Sequence, residues 1–326
     1  MTLASPAPGP HARSVVFGYH TMGCVGFDAL LRHGFEIAAV FTHRDDPHEE
    51  VWWESLAERA RARTIPVHVP EKAELKSAAV AELVSSCRPD FIFSFYYRFM
   101  IPTTILGLAG KGAFNLHGSL LPRYRGRAPV NWVLVNGESE TGVSLHAMVA
   151  KPDAGGLVDQ ERLAIAFDDT ALMLFHKLEA AAVVLLDRAL PALREGRAKV
   201  LPLDLAAGSY FGGRTPEDGH FAWHWPALRI YNLVRAVTHP YPGAFTMLGG
   251  RKLFVWWATP QPYRGAAAPG TVLALGERAA DIATSDGALR LLKCQVEGGK
   301  ENDAASVLRA HGIAAGASLA AIGEPA

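Results

Sequence analysis

SVVFGYHTMGCVGFDALLRHGFEIAAVFT, residues 14–42, decides the fold class. Its apolar run Ser14–Tyr19 reads as a strand, HTMGCVG as a glycine-bearing turn, FDALLRHGF as an amphipathic helix, and Glu36–Thr42 as a second strand. Strand, helix, strand in that order is a βαβ unit, whose crossover makes the two strands parallel. The alternation continues: helical spacing between Glu50 and Arg63, strand-like Ile65–Val69, a helix from about Ala73 to Ser86, then apolar Asp90–Phe95. The expected fold is α/β, a Rossmann-like, doubly wound, mostly parallel sheet. The Gly18–Gly26 loop lacks the G-x-G pair of a dinucleotide fingerprint, so its glycines read as turning the chain and seating a helix on the sheet.

Farther along, Gly112–His117 is the strand that delivers FNLHGSLLPRYRGRAP, residues 114–129. A buried helix follows over Ala128–Val135, with proline near its start. Thr141–Val149 alternates like a strand and ends in the loop Lys151–Gly156; Leu157–Ile165 is another strand. Thr170–Arg188 reads as a long amphipathic helix, extended or followed by a second one to Glu195 and closed by Gly196. Residues 203–216, rich in glycine and small side chains, are expected to link a first domain (14–202) to a second (217–313). Short runs alternating with glycine turns predict that the second is a small open β-barrel, OB-like. A disordered extension (1–13) and a frayed tail (314–326) are expected at the ends.

Lys plus Arg and Asp plus Glu are equal at 32, so no global field draws the chain to nucleic acid or to an anionic membrane. Cys24, Cys87 and Cys294 are too few and scattered for a disulfide framework. No stretch approaches the ~18 apolar residues of a membrane helix, and the first residues lack the apolar core of a signal peptide. A cytoplasmic protein is expected.

Asn115, His117 and Asp153 are the residues that chemistry could use. An acyl transfer to an amine needs a donor for the developing oxyanion and a group that exchanges protons, which an amide and an imidazole can supply. A carboxylate touching His117 would favour the imidazolium. Taken alone, the same residues also fit a structural histidine, a turn-capping asparagine and a plain Asp-Ala-Gly-Gly turn. Arg123, Arg125 and Arg127 could grip a carboxylate or phosphate, or simply form a solvated face. His43, His48, His68, His220, His224 and His239 show no metal-ligand spacing, and neither G-x-S-x-G nor a Walker A loop occurs. No metal is expected.

Asn-Leu-His-Gly-Ser-Leu-Leu-Pro at 115–122, with Tyr-Arg-Gly at 124–126 and Asp-Ala-Gly at 153–155, resembles the folate-dependent formyltransferases. The likeness extends from about Val15 to Leu292. It implies that Asn115, His117 and Asp153 are catalytic and that 10-formyltetrahydrofolate is the co-substrate. It places the folate pocket on Phe99, Met100 and Ile101, on Arg127, and on Val149, Ala150, Lys151, Pro152 and Asp153, mostly through backbone groups. Phe99 stands where close relatives often have His. Ser119, and Arg214 and Thr215 near the linker, are candidates for the nucleotide sugar.

Within the family, Phe93–Arg98, Asn115–His146 and Arg235–Phe245 are most similar to the members that formylate UDP-4-amino-4-deoxy-L-arabinose. That implies a place in lipid A aminoarabinose modification and polymyxin resistance. Bifunctional members carry a UDP-glucuronate decarboxylase domain after the corresponding segment; a separate decarboxylase polypeptide is therefore expected, and a homo-oligomer is allowed. The alternatives are a dTDP- or GDP-linked amino sugar, methionyl-tRNA, or a folate-binding module without activity. Balanced charge and the lack of a lysine-rich insertion speak against tRNA.

Overall fold

The computed structural model describes residues 12–47 and 49–319. The extension expected over 1–13 lies outside it except for Ala12 and Arg13, which open the first strand; residues 320–326 of the expected tail also lie outside. Two compact units interleave along the chain. One takes the chain up to Gly126, Glu140–Ala164 and His176–Phe211, and the other takes Arg127–Ser139, Ile165–Phe175 and the chain from Gly212 onward. The expected division into consecutive stretches differs from this.

The first unit contains strands β1 (Ala12–Gly18), β2 (Phe35–Phe41), β3 (Val67–His68), β4 (Phe91–Phe95), β5 (Gly112–His117), β6 (Arg125–Gly126), β7 (Glu140–Ala147), β8 (Leu157–Ala164) and β9 (Tyr210–Phe211). Seven of them form one sheet in the order β3-β2-β1-β4-β5-β7-β8. The first five are parallel, as the βαβ pattern requires, and β7 and β8 return antiparallel. Helices cover both faces of a doubly wound sheet, so β1 and β4 are buried along nearly their whole length; Val15, Phe17, Ile92 and Phe93 exclude water completely. Each such side chain contributes roughly 1.5–3 kcal/mol of burial.

Helix α1 (His20–Arg32) begins earlier than the sequence suggests, and takes the glycines of HTMGCVG into its own turns. Close packing explains them: a Cβ on Gly26 would lie 2.3 Å from the ring of Phe95. Helix α2 (Leu56–Arg61) is shorter than the 50–63 periodicity, because Ser55 turns extended and caps it by accepting from the Glu58 N–H. Ser77 does the same for α3 (Ala78–Ser86), and splits the helix expected from residue 73. Helix α4 (Thr103–Leu106) then leads toward β5.

Helix α5 (Pro129–Val135) belongs to the second unit, and α6 (Ala171–Arg194) begins in that unit and continues in the first. Helix α7 (Ala227–Val237) explains the interleaving. Asn131 Nδ2 of α5 donates to Ala236 O at 2.8 Å, and buried Arg235 donates to Asn232 Oδ1 (2.9 Å) and Ala166 O (3.3 Å). Sequence periodicity shows that α5 and α7 each have an apolar face, but not that the two faces meet.

Strands β10 (Ala244–Leu248), β11 (Arg251–Gln261), β12 (Val272–Leu275), β13 (Ala280–Ala283) and β14 (Ala288–Val296) form the small β domain. They run antiparallel in the order β10-β11-β14-β13-β12, with β15 (Asn302–Asp303) beside β14 and α8 (Ala304–Ala310) next. The tail expected to fray from residue 314 is packed as far as Leu319, which is fully buried and donates its N–H to Gly270 O.

Candidate active site

Strand β5 pairs with β4 on one side and antiparallel with β7 on the other, and its register places Asn115 opposite His146 and His117 opposite Ser144. Residues two apart in a strand share a face, and directly opposed residues of an antiparallel pair share it too. Asn115, His117, Ser144 and His146 therefore converge. Asn115 Nδ2 donates to His146 Nε2 at 3.1 Å, while His146 Nδ1 carries the hydrogen that it gives to Ala147 O at 2.9 Å. These bonds fix the amide and the tautomer together.

Asp153 reaches this face from the loop after β7. Its backbone is left-handed, with φ +46°, a conformation that Asp tolerates better than most residues. The loop folds back tightly enough that a Cβ on Gly155 would lie 1.9 Å from Ala147 O. Asp153 Oδ1 then lies 3.4 Å from His146 Nε2, 3.5 Å from Asn115 Nδ2 and 3.7 Å from His117 Nδ1. The three residues expected from sequence are together, and His146 is a fourth.

The Tyr-Arg-Gly segment clasps this cluster with its backbone. Tyr124 O accepts from His117 Nε2 at 2.8 Å, and the Gly126 N–H donates to Asp153 Oδ2, also at 2.8 Å. The clasp needs unusual backbone: φ is +58° at Tyr124 and +101° at Gly126, where a Cβ would lie 2.1 Å from Phe211 O. β6 pairs with β9, Tyr124 stacks on Phe211 at 5.0 Å, and the Tyr124 N–H donates to Ser209 Oγ at 2.9 Å. The stretch expected as a linker thus forms part of the wall of the site.

Burial alone would push the Asp153 carboxyl up; attraction to His117 and His146 in their protonated forms, at the acid pH where the carboxyl titrates, and the Gly126 N–H outweigh it and hold the group well below the usual carboxylate range. The site therefore keeps an ionised carboxylate against two imidazoles. With Nε2 bonded to Tyr124 O, His117 turns Nδ1 toward Asp153.

The remaining expected residues are distributed as follows. Ser119 is fully buried and donates its hydroxyl to Arg123 O at 2.7 Å, so it braces the loop. Phe99 lies edge-on to His43 at 4.4 Å, Met100 is exposed and Ile101 is buried. Val149 is exposed, Lys151 likewise, and Ala150 and Pro152 complete the loop to Asp153. Beside Met148 and Val149 opens a cleft of about 470 Å3, lined also by Leu106, Ala113 and Phe114, with Lys111 among its polar groups.

In the second unit the Arg127 guanidinium lies next to Gly213, and Arg214 stacks on Trp132 at 4.6 Å and donates to Asp218 O. Thr215 forms a capping box with Asp218. The three arginines expected as one cluster separate: Arg123 and Arg127 are exposed, whereas Arg125 is buried. Among the described residues no group of three or more His, Cys, Asp or Glu could hold a metal ion, and His48 lies outside them.

Sequence reading missed His146, Tyr124, Gly126 and Ser209 as parts of the site. The signal for His146 was present, since Ser144 and His146 alternate with Val143, Leu145 and Ala147 in the second half of the strand, but a single polar alternation does not identify its partner. Tyr124 and Gly126 act through backbone groups, which side-chain chemistry does not reveal.

Solved structures share this architecture. The chain superposes on an N-formyltransferase from Helicobacter canadensis, in complex with folinic acid and dTDP-3-aminofucose, at TM-score 0.66 and 18% identity, covering 88% of this chain and 100% of that one. WlaRD, a sugar 3N-formyl transferase solved with dTDP and 5-N-formyl-THF, gives 0.66 at 19% identity, over 90% and 100%. HypX from Aquifex aeolicus, in complex with tetrahydrofolic acid, gives 0.62 at 20% identity and covers 92% of this chain; the chain spans about half of HypX, 47%. At such identities the likeness shows the fold. The residues carry the rest: 13–190, more than half of the chain, match the family described as formyl transferase, and 214–312 match the formyl transferase C-terminal domain, so the chain belongs to the formyl transferase family and is a formyl-transferring enzyme.

Proposed function

We propose that this enzyme transfers the formyl group of 10-formyltetrahydrofolate to the 4-amine of UDP-4-amino-4-deoxy-L-arabinose, in the aminoarabinose modification of lipid A that underlies polymyxin resistance. The observation that carries the reading is the convergence of Asn115, His117 and the ionised Asp153 on one buried face. As the neutral amine adds to the formyl carbon, a C–N bond forms and negative charge gathers on the formyl oxygen. The Asn115 amide donates to that oxygen, giving up its long 3.5 Å contact with Asp153. His117 takes the amine proton on Nδ1 and delivers it to the folate nitrogen as the old C–N bond breaks. Asp153 stabilises the imidazolium between these events.

The cleft beside Met148 and Val149 is assigned to the folate pterin, because it borders the Val149–Asp153 loop and is lined mainly by apolar groups. Phe99, Ile101, Arg127 and the Val149–Asp153 backbone are assigned to the same donor, and Arg214 and Thr215 to the nucleotide sugar. Support for a nucleotide-linked amino sugar as acceptor comes from what the Helicobacter canadensis enzyme and WlaRD were solved with. The arabinose choice rests on the likeness of Phe93–Arg98, Asn115–His146 and Arg235–Phe245 to that subgroup.

The test is a mass-spectrometric assay with 10-formyltetrahydrofolate and a panel of UDP-, dTDP- and GDP-linked amino sugars, with initiator methionyl-tRNA included. Formylation of UDP-4-amino-4-deoxy-L-arabinose well above the others is expected. A dTDP-linked sugar formylated in preference would move the acceptor to that class, and formylation of tRNA alone would overturn the reading.

A further inference from the structure

Arg125 is 7% exposed, yet among the described residues its Nε and Nη1 have no hydrogen-bond partner. Among the described residues no carboxylate forms an ion pair with it. A guanidinium cannot shed its charge as a buried lysine does, so a buried, unpaired one is a standing penalty for the folded chain. Folds retain such a group where something else completes it.

The place of Arg125 indicates what that partner is. Its chain neighbours are the two halves of the clasp: Tyr124 O holds His117 Nε2, and the Gly126 N–H holds Asp153 Oδ2. Its own N–H is spent on Ser209 O, so the residue is rooted in the wall of the site, and Nε and Nη1 of its side chain remain to be satisfied. We propose that Arg125 binds the diphosphate of the nucleotide-sugar acceptor and thereby positions the amine at Asn115 and His117. This rests on the acceptor being a nucleotide sugar.

The geometry of the two substrates separates the candidate anions. In a pyranosyl nucleotide with a 4-amine, the diphosphate stands one sugar ring away from the reacting nitrogen. The carboxylates of folate lie beyond the pterin and the whole aminobenzoyl ring. An anion-binding residue built into the loop that clasps the catalytic pair matches the nearer anion.

Isothermal titration of wild type, Arg125→Met and Arg125→Lys with UDP, dTDP, GDP and inorganic pyrophosphate, and separately with 5-formyltetrahydrofolate, tests this, alongside melting curves. Arg125→Met should weaken the preferred nucleoside diphosphate by about 10- to 100-fold, leave folate affinity within twofold, and melt no lower than wild type, because an uncompensated charge has been removed. Arg125→Lys should fall between the two in affinity. Should the methionine variant fail to fold, an unchanged nucleotide affinity in the lysine variant overturns the proposal. So does a methionine variant that binds the nucleotide as wild type does, or one whose loss is in folate affinity instead. If dTDP or GDP is the preferred ligand, the UDP reading fails, while a loss of that ligand's affinity in Arg125→Met still supports the diphosphate contact. A wild-type chain that binds none of the four overturns both.

Discussion

Gly126 donates its backbone N–H to Oδ2 of Asp153 at 2.8 Å, and the residue two before it in the chain, Tyr124, accepts from His117. One short segment, Tyr124–Gly126, therefore sets both the carboxylate and the imidazole. Asp153 belongs to a loop far along the chain, and the pair meets because this segment holds each of them.

Gly126 should tolerate no side chain. Alanine there would suffer a positive φ and an overlap with Phe211 O, which together cost roughly 2–4 kcal/mol. Gly126→Ala is expected to melt well below wild type and to lose most of its turnover. Wild-type melting with full activity would show that the clasp is dispensable.

Asp153 should make stability depend on acid pH. Its carboxyl binds a proton less readily in the folded chain than in the unfolded one, where the ordinary value is 3.8. The stabilisation is thus fully present above about pH 4 and is lost as pH falls through the lowered folded value. In urea unfolding, the stability gap between wild type and Asp153→Asn should be widest near neutral pH and should narrow below about pH 4. A gap that does not change with pH would contradict an ionised Asp153.

His146 is expected to act by positioning Asn115 through its Nε2 acceptor. His146→Ala should lower kcat roughly 3- to 10-fold with little change in KM, and His146→Gln, which can still accept from the amide, should recover most of it. Equal losses in the two variants would mean that the ring matters only as packing.

Ser209 ties the supposed linker to the site through the buried Tyr124 N–H. Ser209→Ala leaves that donor unpaired and should cost about 1–3 kcal/mol in chemical unfolding. No change in unfolding midpoint would return residues 203–216 to the role of a passive tether.

The parallel sheet was legible because strand and helix periods alternate cleanly from Ser14 to His117, and buried central strands leave long apolar runs. Asn115, His117 and Asp153 were legible as candidates through the resemblance carried by residues 115–122, 124–126 and 153–155; their residue types alone fitted a structural histidine, a capping asparagine and a plain turn equally well. His146 was not, since its role comes from strand register, which pairs residue 115 with residue 146 without any mark on either. Neither were Tyr124 and Gly126, whose part is played by backbone groups at positive φ. The interleaving of the two units escaped for a similar reason: α5 and α7 each present an apolar face, and only the folded chain shows that Asn131 bonds to Ala236.

The most direct measurement is the turnover of His117→Ala, with 10-formyltetrahydrofolate and whichever nucleotide amino sugar the wild type accepts, together with its melting curve. Proton exchange through His117 predicts a fall of at least about 100-fold, with melting close to that of wild type. Turnover equal to wild type in a folded His117→Ala enzyme would contradict catalysis at this site.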